Sequence, residues 1–300
     1  MIIVTAPTSR IGQDLLPRLL SENARVRVIA RDASKLPEDI RDCVEIVEGS
    51  HGDATTIDRA LDGATHLFWL CPADDQASSV EEAYVGFTRP AVVAIEAHAV
   101  GRIVSIAALG RSTPHASQAG YVTGSLAMDD LLASTDAHLR TLALPSFMDN
   151  LLWQVPAMLE KGMFFIPIPG DLALPACSVG DIAEAAARFL LDDSWTGQQE
   201  VPVLGPENIS FNQMADVISD VLGRRIVCTN LSFEDYEAIF VKRGFSHAMA
   251  AGMTDMARAK AKGLDLGVPR TAETTSPTSF RTWCETVLKP AFAVREGASS

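Results

Sequence analysis

Through the first half of the chain, apolar residues fall in short blocks rather than in alternation with polar ones. The blocks occupy residues 2–6, 26–30, 44–48, 66–70, 102–107 and 139–144. Their length and β-branched content predict strands covered on both faces of a sheet. Amphipathic stretches such as 57–61 and 88–100 separate them. Strand–helix alternation of this kind predicts right-handed crossovers and an α/β fold with a Rossmann-type, doubly wound parallel sheet.

Past about residue 150 the pattern changes. Ser178-Val179-Gly180-Asp181 is a capping signal for a helix over 182–191, and Ser210-Phe211-Asn212-Gln213 opens another that Gly223 closes. Ser232-Phe233-Glu234-Asp235 opens a third, ended by Gly244, with short strands over 199–204 and 225–231. The organisation expected is a dinucleotide domain over 1–150, with 176–205 returning to it. A smaller α+β substrate-binding lobe would occupy 151–300. Residues after about Arg295 read as a loose tail.

Charge narrows the partners. With 25 Lys and Arg against 38 Asp and Glu, the net charge of −13 argues against nucleic acid and anionic membrane, which need a basic surface. No apolar run has the length of a membrane span, and the first residues lack the basic region of a signal peptide, so a cytoplasmic location is expected. Five scattered cysteines without ligand spacing predict free thiols and no metal site. A homodimer is compatible with all of this.

Candidate chemistry begins in the first loop, Val4-Thr5-Ala6-Pro7-Thr8-Ser9-Arg10-Ile11-Gly12. A phosphate-binding turn uses glycines to approach the pyrophosphate, and the helix after it offers unpaired N–H groups. Only Gly12 of a G-x-x-G-x-x-G spacing is present, with Ala6 and Ser9 in the other places. The Ser9 hydroxyl is a candidate donor to phosphate, as are the Arg10 and Ile11 amides. Arg31 stands after the second strand, where a carboxylate would select NAD. A guanidinium there suits the 2′-phosphate of NADP, and Lys35 adds charge. NADP(H) is therefore preferred, with NAD(H) left open. Asp53 and Ala54 follow the third strand as adenine-side candidates, and Leu70, Cys71 and Pro72 the fourth. Pro17 inside the first helix predicts a kink.

With these residues, the chain resembles the NmrA-like branch of the atypical short-chain dehydrogenases/reductases. The similarity rests on the Thr5–Gly12 loop, Ala30-Arg31-Asp32, and Leu61-Asp62-Gly63-Ala64. It rests also on Leu144-Pro145-Ser146-Phe147-Met148-Asp149-Asn150, which resembles that family's L-R-P-x-x-F-M-E-N segment. Asn230-Leu231-Ser232 and Asp235-Tyr236-Glu237-Ala238 look like the subgroup of NAD(P)H:quinone reductases and aromatic-polyketide tailoring reductases. The resemblance implies a reductase of quinones or polycyclic aromatic carbonyl compounds, working without flavin or metal. Because a hydroquinone product reacts with oxygen, a monooxygenase-type outcome in antibiotic biosynthesis is a variant. The same family includes regulators that sense NAD(P) and act on a protein partner without turnover. Isomerase or dehydratase chemistry is a third option.

Short-chain reductases pair Tyr-x-x-x-Lys on one helix face, so that the ammonium lowers the phenol pKa. Here Tyr121 is followed at the lysine position by Ser125. A quinone tolerates that loss better than a simple ketone does, since solvent can protonate the reduced product. His115, in the loop after the fifth strand, is a further catalytic candidate. Pro145, Ser146 and Phe147 are expected to border the nicotinamide. Met148, Trp153, Phe164 and Phe165 are expected to take a flat aromatic substrate.

Overall fold

The computed structural model describes residues 1–298. The chain opens with β1 (Ile2–Val4), α1 (Arg10–Ser21), β2 (Val26–Ala30), α2 (Glu38–Arg41), β3 (Glu45–Glu48) and α3 (Ala54–Leu61). It continues through β4 (His66–Trp69), α4 (Phe87–Ala97), β5 (Arg102–Ala108), α5 (Tyr121–Ala133), β6 (His138–Leu144) and β7 (Ser146–Phe147). Next come α6 (Val155–Lys161), β8 (Met163–Ile166), β9 (Ala173–Cys177), α7 (Val179–Leu191), β10 (Gln198–Pro202) and β11 (Asn208–Ser210). The last elements are α8 (Phe211–Leu222), β12 (Val227–Asn230), α9 (Phe233–Lys242), α10 (His247–Ala261), α11 (Phe280–Trp283) and α12 (Lys289–Ala298).

Two compact units result. The first comprises Met1–Ala108, Val122–Ala143 and Ile182–Val201. It holds a seven-stranded sheet in the order β10-β6-β5-β4-β1-β2-β3. β1 pairs in parallel with both β2 and β4, the register placing Val4 beside Val28 and Phe68. The chain therefore reverses its direction of travel across the sheet at β1, the place where doubly wound folds bind ligands beyond the strand ends. The strands are covered as their apolar blocks predict: Ile3, Val4, Val28, Leu67 and Phe68 are fully buried. Ile3 and Leu67 pack with Ile57 and Leu61 of α3 and Ala91 and Ile95 of α4, and α1 buries the stripe Ile11, Leu15, Leu16 and Leu19. Each such side chain stabilises by roughly 1.5–3 kcal/mol. Pro17 sits on the opposite, exposed face, so the Gln13 carbonyl it leaves without an intrahelical donor is on the solvent side, and the helix runs on to Ser21.

The second unit comprises Leu109–Tyr121, Leu144–Asp181 and the chain from Pro202 onward. It contains a three-stranded sheet, β11-β9-β7, and the two-stranded pair β12-β8. Ser210 and Gln213 form the expected capping box of α8, and Gly223 ends that helix in the left-handed conformation at φ 66°. Asp149 is buried and accepts the Trp283 indole N–H at 3.0 Å and the Val179 N–H at 3.2 Å, so the segment after β7 is tied to α7 and α11.

Three readings of the sequence need correction. Residues 109–121 and 144–150 belong to the second unit, and the returning segment is 182–201 rather than 176–205. The reason is pairing: Ser146 registers with Ala176, and the Leu109 N–H donates to the Leu144 carbonyl at 2.9 Å. Strands β7, β8, β9 and β11 were not expected, being short and, in β9, carrying Pro175. The tail after Arg295 is helical through Ala298.

Candidate functional site

In the first unit the end of β1 is fastened before it turns. The buried Thr5 donates its hydroxyl to the Phe68 carbonyl at 2.9 Å and accepts the Leu70 N–H at 2.9 Å. The side chain therefore joins β1 to β4 instead of offering its hydroxyl to a ligand, which corrects its reading as a cofactor contact. Ala6 then takes φ 48°, in the left-handed region. The Ser9 N–H closes the turn on the Ala6 carbonyl at 3.0 Å. Gly12 is indispensable here, because a Cβ would lie 2.5 Å from the Ala6 carbonyl oxygen and 2.7 Å from that of Pro7. Both neighbours are backbone and cannot yield. Ser9 accepts the Gly12 N–H at 3.0 Å as the cap of α1, so its oxygen serves the helix first. The Arg10 and Ile11 amides precede the first intrahelical acceptor and stand at the positive end of the helix dipole. Pro7 is buried, whereas Thr8 is exposed.

Beyond β2, Arg31 is exposed and Lys35 ends a single 3-10 turn. Asp32 caps that turn, and the Ser34 hydroxyl and amide hold its carboxyl below the usual range. Asp53 is the cap of α3. Its carboxylate accepts the Thr56 N–H and hydroxyl, each at 2.9 Å, and these bonds lower its pKa. Both bonds fall on Oδ1, and Ala54 opens the helix.

A residue that the sequence reading passed over stands between them. His51 is buried, with Nε2 3.0 Å from the Leu70 carbonyl and its ring edge-on to Trp69 and Phe87 at 5.2 and 4.8 Å. Burial pushes its pKa down to about 4, the Leu70 bond opposing and the Arg31 charge adding to the fall. The ring is neutral, and Nε2 donates to Leu70. Nothing in the local sequence announced this beyond a histidine just after an apolar block. Cys71 points its thiol at the Ala83 carbonyl at 3.3 Å, and burial pushes that thiol up to about 12, so it is inert. Pro72 is exposed.

Tyr121 and Ser125 lie one turn apart on α5. Tyr121 is half-buried and Ser125 buried. One turn further along, the buried Asp129 accepts the Ser105 and Thr141 hydroxyls, both at 2.7 Å. No ammonium is available on this face at the place where a short-chain reductase carries one. His115 is half-buried, and its carbonyl accepts the Gln118 N–H at 3.1 Å.

The second unit contains an apolar cavity of about 380 Å³. Of the residues expected near the substrate, Met148 and Trp153 line it, as do Ser146 and Phe147. Pro145 is buried and outside the lining. Phe164 and Phe165 do not line it either. Phe164 is fully buried in the core, and Phe165 has its N–H and carbonyl bonded to the Gln154 side chain at 2.7 and 2.9 Å. Their place on β8, paired with β12, explains both corrections. The walls missed by sequence reading include Phe211, Tyr236, Phe240, Arg243 and Lys260. Tyr236 and Phe240 stand one turn apart on the buried face of α9, rings T-shaped at 4.9 Å, a spacing legible in the sequence. Burial pushes the Tyr236 phenol up to about 12, so it is protonated at neutral pH. Arg243 stacks its guanidinium over Trp153 at 4.4 Å.

Comparison with known proteins agrees with the first unit's geometry. Residues 8–149 match the NAD(P)H-binding family model. The chain is 24% identical over 257 residues to the NAD(P)H azoreductase of Xenophilus azovorans, covering 85% of this chain and 86% of that protein. It is 22% identical over 265 residues to Quinone oxidoreductase 2 of Escherichia coli (strain K12), covering 88% and 89%. The solved NADPH complex of the Escherichia coli NADPH-dependent quinone oxidoreductase superposes with a TM-score of 0.77 at 21% identity, covering 96% of this chain and 100% of that one. At these identities the structural likeness shows the fold. Among the described residues, no helix is long and apolar enough to cross a membrane.

Proposed function

We propose, from a chain that carries an NAD(P)H-binding domain over residues 8–149, an NADPH-preferring oxidoreductase that reduces a quinone or another polycyclic aromatic carbonyl compound. The observation that carries the substrate class is the 380 Å³ cavity walled by Phe147, Met148, Trp153, Phe211, Tyr236 and Phe240. Aromatic faces and thioethers of this kind suit a flat aromatic ligand.

The cradle in the first unit fits the dinucleotide. The turn at Ala6, the close approach at Gly12 and the amides of Arg10 and Ile11 suit a pyrophosphate. Arg31 and Lys35 suit a ribose phosphate. When bound, the reduced nicotinamide supplies a hydride. The protein's own contribution is to hold the ligand and shield it from water, since Ser125 leaves Tyr121 without the neighbouring ammonium that would make its phenol a stronger acid. An acceptor whose reduced oxygen solvent can protonate, a quinone above all, needs no more. A hydroquinone formed in this way can then react with dioxygen. One oxygen atom enters the ring, the other leaves as water, and the net result is hydroxylation.

Ser125 also favours a second reading, an NAD(P)-sensing regulator without turnover. One assay separates the two: NADPH and NADH oxidation followed with a panel of quinones, with and without oxygen. The reductase reading expects quinone-dependent oxidation of NADPH. Cofactor binding without oxidation by any acceptor overturns it in favour of the sensor.

A further inference from the structure

The cavity of the second unit is apolar but for a few groups, and most of these are engaged elsewhere. The Gln154 side chain is bonded at both ends to Phe165, and Arg243 lies on the face of Trp153. Lys260 differs. It lines the cavity, yet its side chain is only 7% exposed, and it stands in the last turn of α10, where the helix dipole favours a cation. Gly263, at φ 88°, folds the chain back so that Asp265 returns to it. Lys260 Nζ donates to Asp265 Oδ2 at 2.5 Å. The Asp265 carboxylate is fully buried, and its Oδ1 has no hydrogen-bond partner.

A lysine ammonium has three protons, and this contact uses one. A pair of charges this deep is not the most stable filling for an apolar wall, and an orphaned carboxylate oxygen adds to its cost. We infer that Lys260, oriented by Asp265, anchors an anionic oxygen of the ligand, so that the cavity selects aromatic carbonyl compounds carrying an ionised hydroxyl, such as hydroxyquinones. Lys260 is then a specificity residue and Asp265 its positioning residue. The inference rests on the reading of this cavity as the substrate pocket.

The test is equilibrium binding by calorimetry at neutral pH without cofactor, using two naphthoquinones of one shape. Lawsone carries a quinone-ring hydroxyl that is ionised at neutral pH, and menadione carries a methyl group in that place. The wild-type protein should bind lawsone about ten-fold or more tighter than menadione, as one charge-assisted hydrogen bond provides. Equal affinities overturn the inference without any variant. Lys260→Met should abolish the preference through a loss of lawsone affinity. If that variant does not fold, Lys260→Met with Asp265→Leu removes both charges and serves instead. Arg243→Gln, which removes another cation of the lining, should keep the preference; if the preference disappears there and survives loss of Lys260, the anchor is Arg243 and the inference fails. Binding and turnover are read apart. A protein that prefers lawsone through Lys260 but oxidises no NADPH loses the reductase reading and keeps the anchor. One that reduces both quinones and binds them equally loses the anchor and keeps the reading.

Discussion

Ala6 is the sharpest place to ask whether the nucleotide loop is damaged or merely strained. Its φ of 48° lies in the left-handed region, where an L residue costs about 1–2 kcal/mol and glycine costs almost nothing. Ala6→Gly removes that strain. Glycine also makes the unfolded chain more flexible, which returns about 0.4–1 kcal/mol of the gain. The balance is a stabilisation of about 0.5–1 kcal/mol, or roughly 1–4 °C in Tm for a chain of this size. The turn is already closed by the Ser9 N–H on the Ala6 carbonyl, so the loop should not move, and NADPH affinity should stay within about two-fold, under half a kcal/mol. Differential scanning calorimetry and a calorimetric titration with NADPH read the two quantities. A fall in Tm would show that the methyl group packs favourably enough to outweigh its backbone strain, and the strain argument would be wrong. A large gain in affinity would show that the methyl obstructs the ligand.

Three further outcomes follow from the first unit. Gly12→Ala places a methyl 2.5 Å from the Ala6 oxygen; it should cost about 1–3 kcal/mol in urea unfolding and weaken NADPH binding, and an unchanged midpoint would refute the close approach. Arg31→Ala should raise the Kd for NADPH by about ten- to a hundred-fold, the loss of a hydrogen bond to a charged group, while leaving that for NADH alone; an unchanged ratio would refute the role given to Arg31. His51, neutral in the fold with its pKa down to about 4, is protonated more readily in the unfolded chain, at about 6.5. Stability contributed by this group is present above pH 6.5 and falls away as pH drops toward 4, by about 3 kcal/mol in all. Denaturant unfolding between these pH values should show that slope in the wild type and a slope smaller by up to one proton in His51→Gln; equal slopes would count against the burial argument.

What could be read in the sequence and what could not divides along a physical line. The strands and the doubly wound parallel class follow from blocks of apolar residues and strand–helix alternation, both local patterns, and β2 matches its block at both ends. Ser210, Gln213 and Gly223 announced α8 because caps depend on residues only a few positions apart. The cavity was half legible. Met148 and Trp153 were found, but an aromatic pair such as Phe164-Phe165 reads the same whether it lines a pocket or forms a strand like β8, and only the pairing with β12 decides. Thr5 departs from its reading for a related reason: its hydroxyl is able to meet a ligand, and only the fold brings the Leu70 amide nearer. Lys260 had no local signal at all, since a lysine near a helix end is ordinarily solvated.

The Lys260–Asp265 pair separates a structural reason for buried charge from a functional one. If the pair exists to stabilise the fold, removing both charges should be costly. If it exists to meet a ligand, the fold is carrying an expense, and Lys260→Met with Asp265→Leu should be neutral or stabilising by about 1–4 kcal/mol, as apolar replacements of buried ion pairs often are. The single Lys260→Met should instead lose about 3–5 kcal/mol, because it strands a fully buried carboxylate whose Oδ1 already lacks a partner. Chemical denaturation of the three proteins at neutral pH compares these directly. A double variant as unstable as the single one would mean that the ion pair is part of the scaffold. A double variant at least as stable as the wild type, but blind to the hydroxyl of lawsone, would mean that the charge is kept for recognition. In a chain whose α5 has Ser125 where a reductase helix carries lysine, that result would put the ligand-directed ammonium in the wall of the second unit's cavity.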